Sequence, residues 1–568
     1  MSTFETKTAD NFIFDEALDP REHLSGSTPF LKRNLVYIPD QQAGNGTYIP
    51  GDMIFDSTSV ASSGNMNDWR NMIIAHPFNT KVQFYASSAV TITNTAAERL
   101  AIARSLVAHK NFCDLESFKV EAHGKTILVA TQGLEAFNTF KFLATNTQDS
   151  LHKDAAVVGF YPDDVGQVGA SFTSHNAANN PAAAATTASV YGANRGLIER
   201  QQNMLPTFNS NFMSTSNVAN EGGTVDLGVG FLGTAPTDLA TSTLLSDIHG
   251  VRIIRGKDIC DFLDKHNLSR GVGYRFTLKF NQAVTTITTA SSTTPLVNVP
   301  TNISTSITSG SKQPAMLCIG PGSLATGLTF SAAATATLVI SHAIDTTTKT
   351  RINGGRLYLP SYELDPSHQE KLMSSPSVTK EFMDFTTATT QTYAAPGAQI
   401  NVQVSTSATN PRALIIVPSW SASAPAADPT FGQAYLSERS PLSTVPGSTD
   451  GLLSLRDIQI KMGSDYILPD RLNYSWSAFI DHTSSIFALN GNQTAQTSGL
   501  ITKKMWETNH RYYAFDLSRY PQAMNNLPQM ISLECYNNSA VSIELRCYLV
   551  YGRSAEFNLA NGTLSVTA

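Results

Sequence analysis

Apolar and polar residues alternate with a period of two in many short segments of this chain. The longest of these segments covers residues 541–551, in which every second residue from Val541 to Tyr551 is apolar. Residues with this period lie on one face of an extended chain, so the pattern predicts a half-buried β-strand. Turn residues separate the segments, and long helical patterns are rare. The chain is therefore expected to fold mainly into antiparallel β-sheets.

Several other segments carry equally clear strand patterns. Residues 117–131 predict a hairpin with a turn at His123-Gly124, and residues 274–280 alternate around Phe276. The apolar run 414–417 predicts a strand that is covered on both faces. The apolar run 155–161 is interpreted as a further buried strand.

Only short helices are expected. Leu134, Phe137, Phe140 and Leu143 recur at helical spacing, which predicts a short amphipathic helix. The sequence DPSHQEKLMSSP, which begins at Asp365, has an Asp suited to a helix N-cap, a proline at the first helical position and a second proline that ends the helix.

The strand pattern restarts after this second proline, which divides the 568 residues into two β-rich halves. The pattern lacks the long helices that connect the strands of a parallel sheet. Two consecutive antiparallel domains therefore fit better than an α/β fold. We expect an N-terminal arm over 1–35, a first domain over 36–365, a linker helix over 366–376 and a second domain over 377–568. Long loops are expected at about 165–250 and 283–313 in the first domain.

Composition excludes several classes of protein. Only 15% of the residues are charged, and the net charge of −6 gives no general attraction to nucleic acid. The five cysteines are widely spaced and form no CxxC pair, which argues against a disulfide framework or a structural zinc site. The first residues do not resemble a secretory signal, and no apolar run is long enough to cross a membrane. We therefore expect synthesis in a reducing compartment.

The sequence offers no catalytic, cofactor-binding or metal-binding residues that we would assign. Known nucleophile, metalloprotease and phosphate-loop motifs are missing, and the histidines have no second histidine at ligand spacing.

Several segments contain suggestive residue types but are interpreted as structural. His123, His249 and His482 are expected to be solvated or hydrogen-bonded loop residues, and Asp163-Asp164 is expected to end a strand and cap a turn. Asp481-His482 with Ser484 has the residue types of a triad, but adjacency in sequence is not triad geometry. The basic and aromatic residues of 503–513 are interpreted as a strand with partly buried rings, and Trp420 and Trp476, in or next to strands, as core or subunit-contact residues.

The order of these segments resembles one family. The segments LVYIPDQQAGNGTYIPGDMIFD, LESFKVEAHGKTILVATQGLEAFNTFKFL, RLYLPSYELDPSHQEKLMSSPSVTKEFMDF, NPRALIIVPSW and RYYAFDLSRYP, taken together, are similar to the double jelly-roll major capsid proteins of polinton-like viruses, which are related to the capsid proteins of virophages and adintoviruses. The resemblance covers most of both halves and is poor in 165–250 and 283–313.

The resemblance implies an all-β fold of two consecutive eight-stranded antiparallel jelly rolls with short helices and long loops. It implies a non-enzymatic subunit that forms homotrimeric pseudo-hexagonal capsomers in the icosahedral shell of a double-stranded DNA virus. The expected location is the virion capsid, assembled inside the host cell. The expected partners are further copies of the chain, neighbouring capsomers, and penton and minor or cement proteins, with no cofactor and no small-molecule substrate.

Two other functions fit the residues alone. A β-sandwich carbohydrate-active enzyme would need two carboxylates across a cleft, and we expect neither a deep polar pocket nor a bound metal. A receptor-binding fibre or adhesin would suit the Thr- and Ser-rich sequence, but it would usually contain short internal repeats, which we do not find. The arm is expected to be either a disordered terminus or a peptide whose apolar residues Phe12 to Leu18 contact a neighbouring subunit, a minor protein, an inner membrane or the genome.

Overall fold

The structure is a computed structural model of the full chain. It describes residues 30–42, 52–86, 90–92, 107–109, 115–130, 133–149, 151, 153, 158–162, 218–220, 223–226, 243–266, 268–289, 303–309, 315–317, 328–330, 336–345, 354–366, 368–370, 377–389, 394–420, 453–468, 470–486, 498–508, 510–518, 528–539, 542–558 and 562–567.

The described part of the first half consists mainly of strands, most of them antiparallel neighbours. They are β1 (Phe30–Pro39), β2 (Asp52–Asp56), β3 (Met66–Asp68), β4 (Ile73–Ala86), β5 (Val90–Ile92), β6 (Val107–His109), β7 (Leu115–Ala122), β8 (Lys125–Ala130), β9 (Val218–Asn220), β10 (Gly223–Asp226), β11 (Thr243–Arg255), β12 (Leu268–Ser269), β13 (Tyr274–Phe280), β14 (Ala283–Thr289), β15 (Ile303–Ser309), β16 (Ala315–Leu317), β17 (Leu328–Phe330), β18 (Ala336–Ile344) and β19 (Arg356–Leu364).

In the described residues the second half contains fewer strands, and six short helices are spread over both halves. The strands are β20 (Ser377–Thr389), β21 (Gln399–Ala408), β22 (Pro411–Trp420), β23 (Leu455–Met462), β24 (Asp465–Tyr466), β25 (Tyr513–Asp516), β26 (Gln529–Asn537), β27 (Ile543–Asn558) and β28 (Thr563–Thr567). The helices in the described residues are α1 (Thr58–Ala61), α2 (Leu134–Thr145), α3 (Gly256–Ile259), α4 (Asp261–Lys265), α5 (Trp476–Ile486) and α6 (Lys503–Thr508).

The strand order of the second half defines a jelly roll. One sheet has the order β20-β27-β22-β25, and the other has the order β21-β26-β23-β24. Counted from β20, these are the first, eighth, third and sixth strands in one sheet and the second, seventh, fourth and fifth in the other. This is the order that results when a long antiparallel hairpin is wound into two facing four-stranded sheets.

The first half repeats the same order with additional strands. Its first sheet contains β1-β19-β4-β11 and its second contains β2-β13-β7-β8, all paired antiparallel. The additional strands β3 and β12 extend the first sheet beside β19, while β9 and β10 extend it beyond β11. The predicted fold class, two consecutive eight-stranded jelly rolls, is therefore confirmed by strand pairing in both halves.

Each roll buries apolar side chains between its two sheets. In the first roll, Phe276 and Leu278 of β13 lie in the same buried cluster as Leu357 and Leu359 of β19. In the second roll, apolar residues of β21, β23 and β26 form a cluster with Leu414 of β22. Strand alternation places these residues inward, which is why the period-two pattern located them correctly.

Most predicted elements are confirmed. The hairpin of β7 and β8 turns at His123 and Gly124, both of which have positive φ as a tight hairpin turn requires. The helix predicted from Leu134 onward is α2, and the run 414–417 is buried on both faces of β22.

The buried strand predicted at 155–161 is wrong in the part that the structure describes. Val158 and Phe160 are buried, but Val158 is helical and Gly159 lies in a turn with a φ of +66°. A short apolar run does not distinguish a strand from another buried segment, because it has no period to measure.

The two predicted loops also contain strands. The segment 283–313 includes β14 and β15, which pair with each other, and β14 also pairs with β18. Threonine and isoleucine favour extended structure, so Thr-rich alternation forms strands even where it lacks large apolar residues. The segment 165–250 includes β9, β10 and the start of β11, and the rest of it lies outside the described residues.

The predicted domain boundaries remain predictions. Strand β1 begins at Phe30, inside the segment that we assigned to the arm, and residues before it lie outside the described part. Between the rolls, the N–H groups of His368 and Gln369 both donate to the Asp365 carbonyl, so a helical turn follows this residue. Residues 371–376 of the expected linker are also outside the described part.

Candidate functional site

The first sheet of the second roll is buried on both of its faces. In β22, Leu414 and Ile416 face the core of the second roll, whereas Ala413, Ile415 and Val417 belong to the cluster shared with the first roll. All five side chains are fully buried. A sheet in a two-layer sandwich normally leaves one face to solvent, so the second buried face indicates an extensive contact between the rolls. We call this contact the inter-roll interface.

Helix α2 of the first roll forms the centre of the inter-roll interface. Ten of its residues are buried, including the polar residues Glu135, Asn138 and Thr139. An amphipathic helix at a protein surface would leave such residues in solvent. The burial on most sides shows that α2 lies between two packed bodies.

Aromatic side chains make the closest contacts across the interface. The ring of Phe137 on α2 stacks on that of Phe385 on β20, with centroids 4.1 Å apart, and lies 5.7 Å from that of Tyr548 on β27. In the middle of α2, the Phe140 ring lies 4.9 Å from that of Tyr512. Such rings bury large areas and pack in tilted or stacked pairs, so they fix the relative orientation of the two surfaces.

Residues of the second half hydrogen-bond to both ends of α2. The hydroxyl of Tyr548 donates to the carbonyl of Gly133 at 2.9 Å, directly before the helix begins. Gly133 has a φ of +71°, and a Cβ at this position would collide with the Tyr548 hydroxyl. At the other end, the Leu500 N–H donates to the Leu143 carbonyl at 2.7 Å. This bond satisfies a carbonyl that has no partner within the helix.

One buried ion pair and one hydrogen bond from a buried arginine cross the same interface. Arg553 of β27 donates to Asp384 of β20 and to the carbonyl of Ile127 in the first roll, both at 2.8 Å. Burial raises the pKa of Asp384, although the hydrogen bond from Arg553 opposes this rise. Arg546 lies 3.6 Å from Glu135 of α2, and both side chains are largely buried. These charges require defined partners, so they favour a single alignment of the rolls.

A second contact joins α4 to the far end of β27. His266, which follows α4, stacks on Phe557 with ring centroids 4.4 Å apart. Its Nε2 atom lies 2.8 Å from the hydroxyl oxygen of Tyr274. Complete burial lowers the pKa of His266 to about 3, so the ring is neutral in the folded protein at neutral pH.

The turn between β7 and β8 contacts the turn between β27 and β28. The Nε2 atom of His123 lies 2.8 Å from the Gly562 carbonyl oxygen. Gly562 also packs against the backbone of Gly271, where a Cβ on either residue would meet the other backbone. His123 was expected to be a solvated or hydrogen-bonded loop residue, and the structure shows a bond between the two rolls.

The other candidate histidines have different surroundings from those expected. His249 lies within β11 opposite Asn79, and His482 lies within α5, so neither is a loop residue. The backbone N–H of Asp516 donates to Nδ1 of His482, while the Ser484 hydroxyl donates to the Ile480 carbonyl one turn earlier. The sequence patterns around both histidines were too weak to predict an element. Asp163-Asp164 lies outside the described residues.

The basic and aromatic segment 503–513 is structural, as predicted. Its aromatic residues Trp506, Tyr512 and Tyr513 are almost completely buried. The Trp506 indole donates to the Tyr512 carbonyl at 2.9 Å, and the Arg511 guanidinium lies 4.0 Å from the centre of the Trp506 ring. Trp476 was placed in or next to a strand, but it begins α5.

The described residues contain no group of three or more His, Cys, Asp or Glu side chains that could hold a metal ion. None of the helices in this part of the chain is long and apolar enough to cross a membrane.

A large, half-open cavity lies beside the inter-roll interface, and more of its surface is apolar than polar. Its volume is about 810 Å³, and its walls come from α2, from α3 and α4, and from β20 of the second roll. It was not predicted because its walls are far apart in sequence. Its carboxylates do not form an acid–base pair, since each is already held: Asp258 by Arg255, Asp264 by Arg70, Asp384 by Arg553, and Asp261 by the N–H of Met383.

We predict that the two rolls unfold as one unit. Phe137→Ala removes the central ring of the interface and should lower the free energy of unfolding by about 3–5 kcal/mol. Calorimetry should show one transition for the wild type and two separated transitions, or one much broader transition, for the variant. Phe137→Leu keeps most of the apolar volume and serves as the control, with a smaller loss. Two well-separated transitions in the wild type would contradict a shared core.

We also predict that His266 makes the protein sensitive to acid. The unfolded chain binds a proton at a pKa near 6.5, whereas folded His266 resists protonation down to about pH 3. Stability should therefore fall with pH below 6.5, by up to about 1.4 kcal/mol per pH unit from this residue. His266→Gln, which does not titrate, should give a shallower decrease in melting temperature between pH 7 and pH 5. Equal slopes would show that His266 is not responsible.

No protein-family model and no curated protein matches this sequence. Among solved structures, the chain is similar to the mavirus major capsid protein, with 9% identity, a TM-score of 0.46, and coverage of 97% of this chain and 92% of that chain. It is similar to a chain of the Sputnik virophage with 12% identity, a TM-score of 0.45 and the same coverages. For the PBCV-1 virus capsid the identity is 9%, the TM-score is 0.37, and the coverages are 96% and 100%. With such low identities and scores, the fold assignment rests on the strand order described above.

Proposed function

We propose that this chain is a major capsid protein. In this proposal it is a structural subunit, not an enzyme, and three copies form a pseudo-hexagonal capsomer in the icosahedral shell of a double-stranded DNA virus. The observation that carries the proposal is the pair of complete jelly rolls held against each other by one buried interface. Such a subunit presents two similar modules at a fixed angle, which suits a six-fold lattice position filled by three chains.

The buried residues favour this function over catalysis. Aromatic and charged side chains are concentrated at the inter-roll interface, where they fix the relative orientation of the two rolls and so the shape of the subunit. A carbohydrate-active enzyme would instead need two carboxylates available across a cleft. The four carboxylates of the large cavity are each held by an arginine or a backbone N–H.

An exposed apolar stripe on β1 is our candidate for a contact between copies. Leu35 and Tyr37 are 63% and 47% exposed, and Leu31 is 60% exposed on the same strand. In the described part of the chain, β1 pairs only with β19, so it is the edge of its sheet. Exposed apolar edge strands associate readily with other chains, and a shell protein would use such a surface for assembly.

The proposed location and partners of the chain follow from the capsid role. The chain would be located in the virion capsid and assembled inside the host cell. Its partners would be further copies in the trimer, neighbouring capsomers, penton proteins and minor or cement proteins. Residues 1–29 lie outside the described part of the chain. Their contact with an inner membrane, the genome or a minor protein is a proposal from the apolar residues Phe12 to Leu18 alone.

The first test is the oligomeric state of purified protein, alone and co-expressed with candidate partner proteins. We expect trimers by mass photometry and shells by negative-stain microscopy. Leu35→Glu should leave the melting temperature of the subunit nearly unchanged but abolish association, because it places a charge in an apolar contact. Leu35→Met keeps the contact apolar and serves as the control. A chain that stays monomeric under every condition would refute the proposed function.

The second test concerns the arm. Deletion of residues 1–20 should leave trimers intact and reduce the yield of shells, because the arm is proposed to contact components outside the trimer. Particle counts by electron microscopy and trimer fractions by mass photometry would measure the two effects separately. Shell yields equal to those of the full chain would exclude this role for the arm.

A further inference from the structure

The cavity beside the inter-roll interface has a composition that points to a ligand. It is lined by both rolls: Phe137 and Lys141 come from α2, Lys257 and Lys265 from α3 and α4, and Phe385 from β20. Its volume of about 810 Å³ lies in the range of cavities that hold small molecules. The apolar rings form part of its wall, and the lysines are among its polar groups, together with four aspartates.

Lys141 is the most unusual of these residues. It follows Phe137 by one helical turn on α2 and precedes Thr145 by another, so the three side chains lie on the face of the helix that borders the cavity. Its Nζ atom is buried and has no hydrogen-bond partner among the described residues. A buried ammonium group without a partner is costly, because it has lost its hydration without gaining a hydrogen bond.

The acids of the cavity are directed to other groups. Asp258 accepts from Arg255 at 2.7 Å and Asp264 lies 3.4 Å from Arg70. On the side of the second roll, Asp384 accepts from Arg553 at 2.8 Å. In each of these three pairs, the arginine neutralises the charge of the carboxylate.

The fourth acid is not paired with an arginine. Asp261 accepts the backbone N–H of Met383 at 2.8 Å, a bond that joins the two rolls. Lys257 and Lys265 form no ion pair with any residue that the structure describes, and the same holds for Lys141. Three lysines therefore line the cavity and, once the three ion pairs are set aside, only one further carboxylate does.

We propose that this cavity binds a compact oxyanion, either a phosphate or a carboxylate group, through Lys141 with Lys257 and Lys265. Hydrogen bonds from an ammonium to an oxyanion are about twice as strong as neutral ones. The cavity is much larger than one such group, so a molecule that carries several of them would also fit. Because both rolls form the walls, a bound anion would stabilise the folded subunit. This inference does not depend on the capsid function.

The test measures the melting temperature of the full chain as a function of anion concentration. Sodium phosphate, tripolyphosphate and citrate would be titrated separately, with sodium chloride adjusted to keep the ionic strength constant. We expect a saturable rise in melting temperature. A response to the two phosphates alone assigns the phosphate class, a response to citrate alone assigns the carboxylate class, and a response to all three assigns a general oxyanion site.

Three variants test whether Lys141 is responsible for the rise in melting temperature. Lys141→Met keeps the length of the side chain but removes the charge, and it should raise the apparent dissociation constant about tenfold or more. Lys141→Arg should preserve the response. Lys153→Met removes an exposed lysine that pairs with Asp149, and it should respond as the wild type does.

The baseline stability provides an independent readout. Without added anion, Lys141→Met should melt at the same temperature as the wild type or higher, because an unpaired buried charge is removed. The proposal is overturned if no anion gives a saturable rise. It is also overturned if Lys141→Met and the wild type respond equally, which would mean that water alone solvates the Lys141 ammonium group.

Discussion

The shape of this protein depends on one sheet that is buried on both faces. Strand β27 places Ile543, Leu545 and Leu549 in the core of the second roll, and it places Tyr548 and Val550 in the inter-roll interface. A solvent-exposed face would be polar at these alternate positions, and separation of the rolls would expose large apolar side chains to water. The two jelly rolls therefore share one buried cluster, although each has a complete set of eight strands.

Charged groups and hydrogen bonds fix the relative orientation of the two rolls at this apolar contact. Apolar packing alone tolerates small shifts, whereas Arg553 must reach both Asp384 and the Ile127 carbonyl at the same time. Leu500 and Tyr548 likewise each reach one end of α2. A buried polar group that loses its partner raises the free energy of the folded protein. A rotation or displacement of one roll against the other would therefore be disfavoured more strongly than by apolar packing alone.

The sequence was informative about strands and about the fold class, because alternation is a local signal. It correctly gave the direction of Phe276 and Leu278 and the double burial of residues 414–417. It did not distinguish the short apolar run at 155–161 from a strand, and it did not reveal strands in Thr-rich segments such as β14. Ambiguous or missing apolar periodicity explains both errors.

The candidate site could not be predicted in the same way. The pattern of α2 indicated one apolar face, but Glu135 and Asn138 are buried because the second roll covers them. Gly133 and Tyr548 are 415 positions apart, and no local pattern connects them. Lys141 resembled any polar helix residue until its surroundings were known. Contacts between distant segments decide both the interface and the cavity.

The position of α2 also has a consequence for biosynthesis. The helix lies in the first quarter of the chain, whereas its partners Tyr512 and Tyr548 are close to the C-terminus. During translation, the ribosome releases the apolar residues of α2 long before the surface that covers them exists. Nascent chains with exposed apolar surface are prone to aggregation, and several ribosomes on one message would bring such chains close together. The same helix that holds the finished subunit together is therefore synthesised well before the residues that cover it.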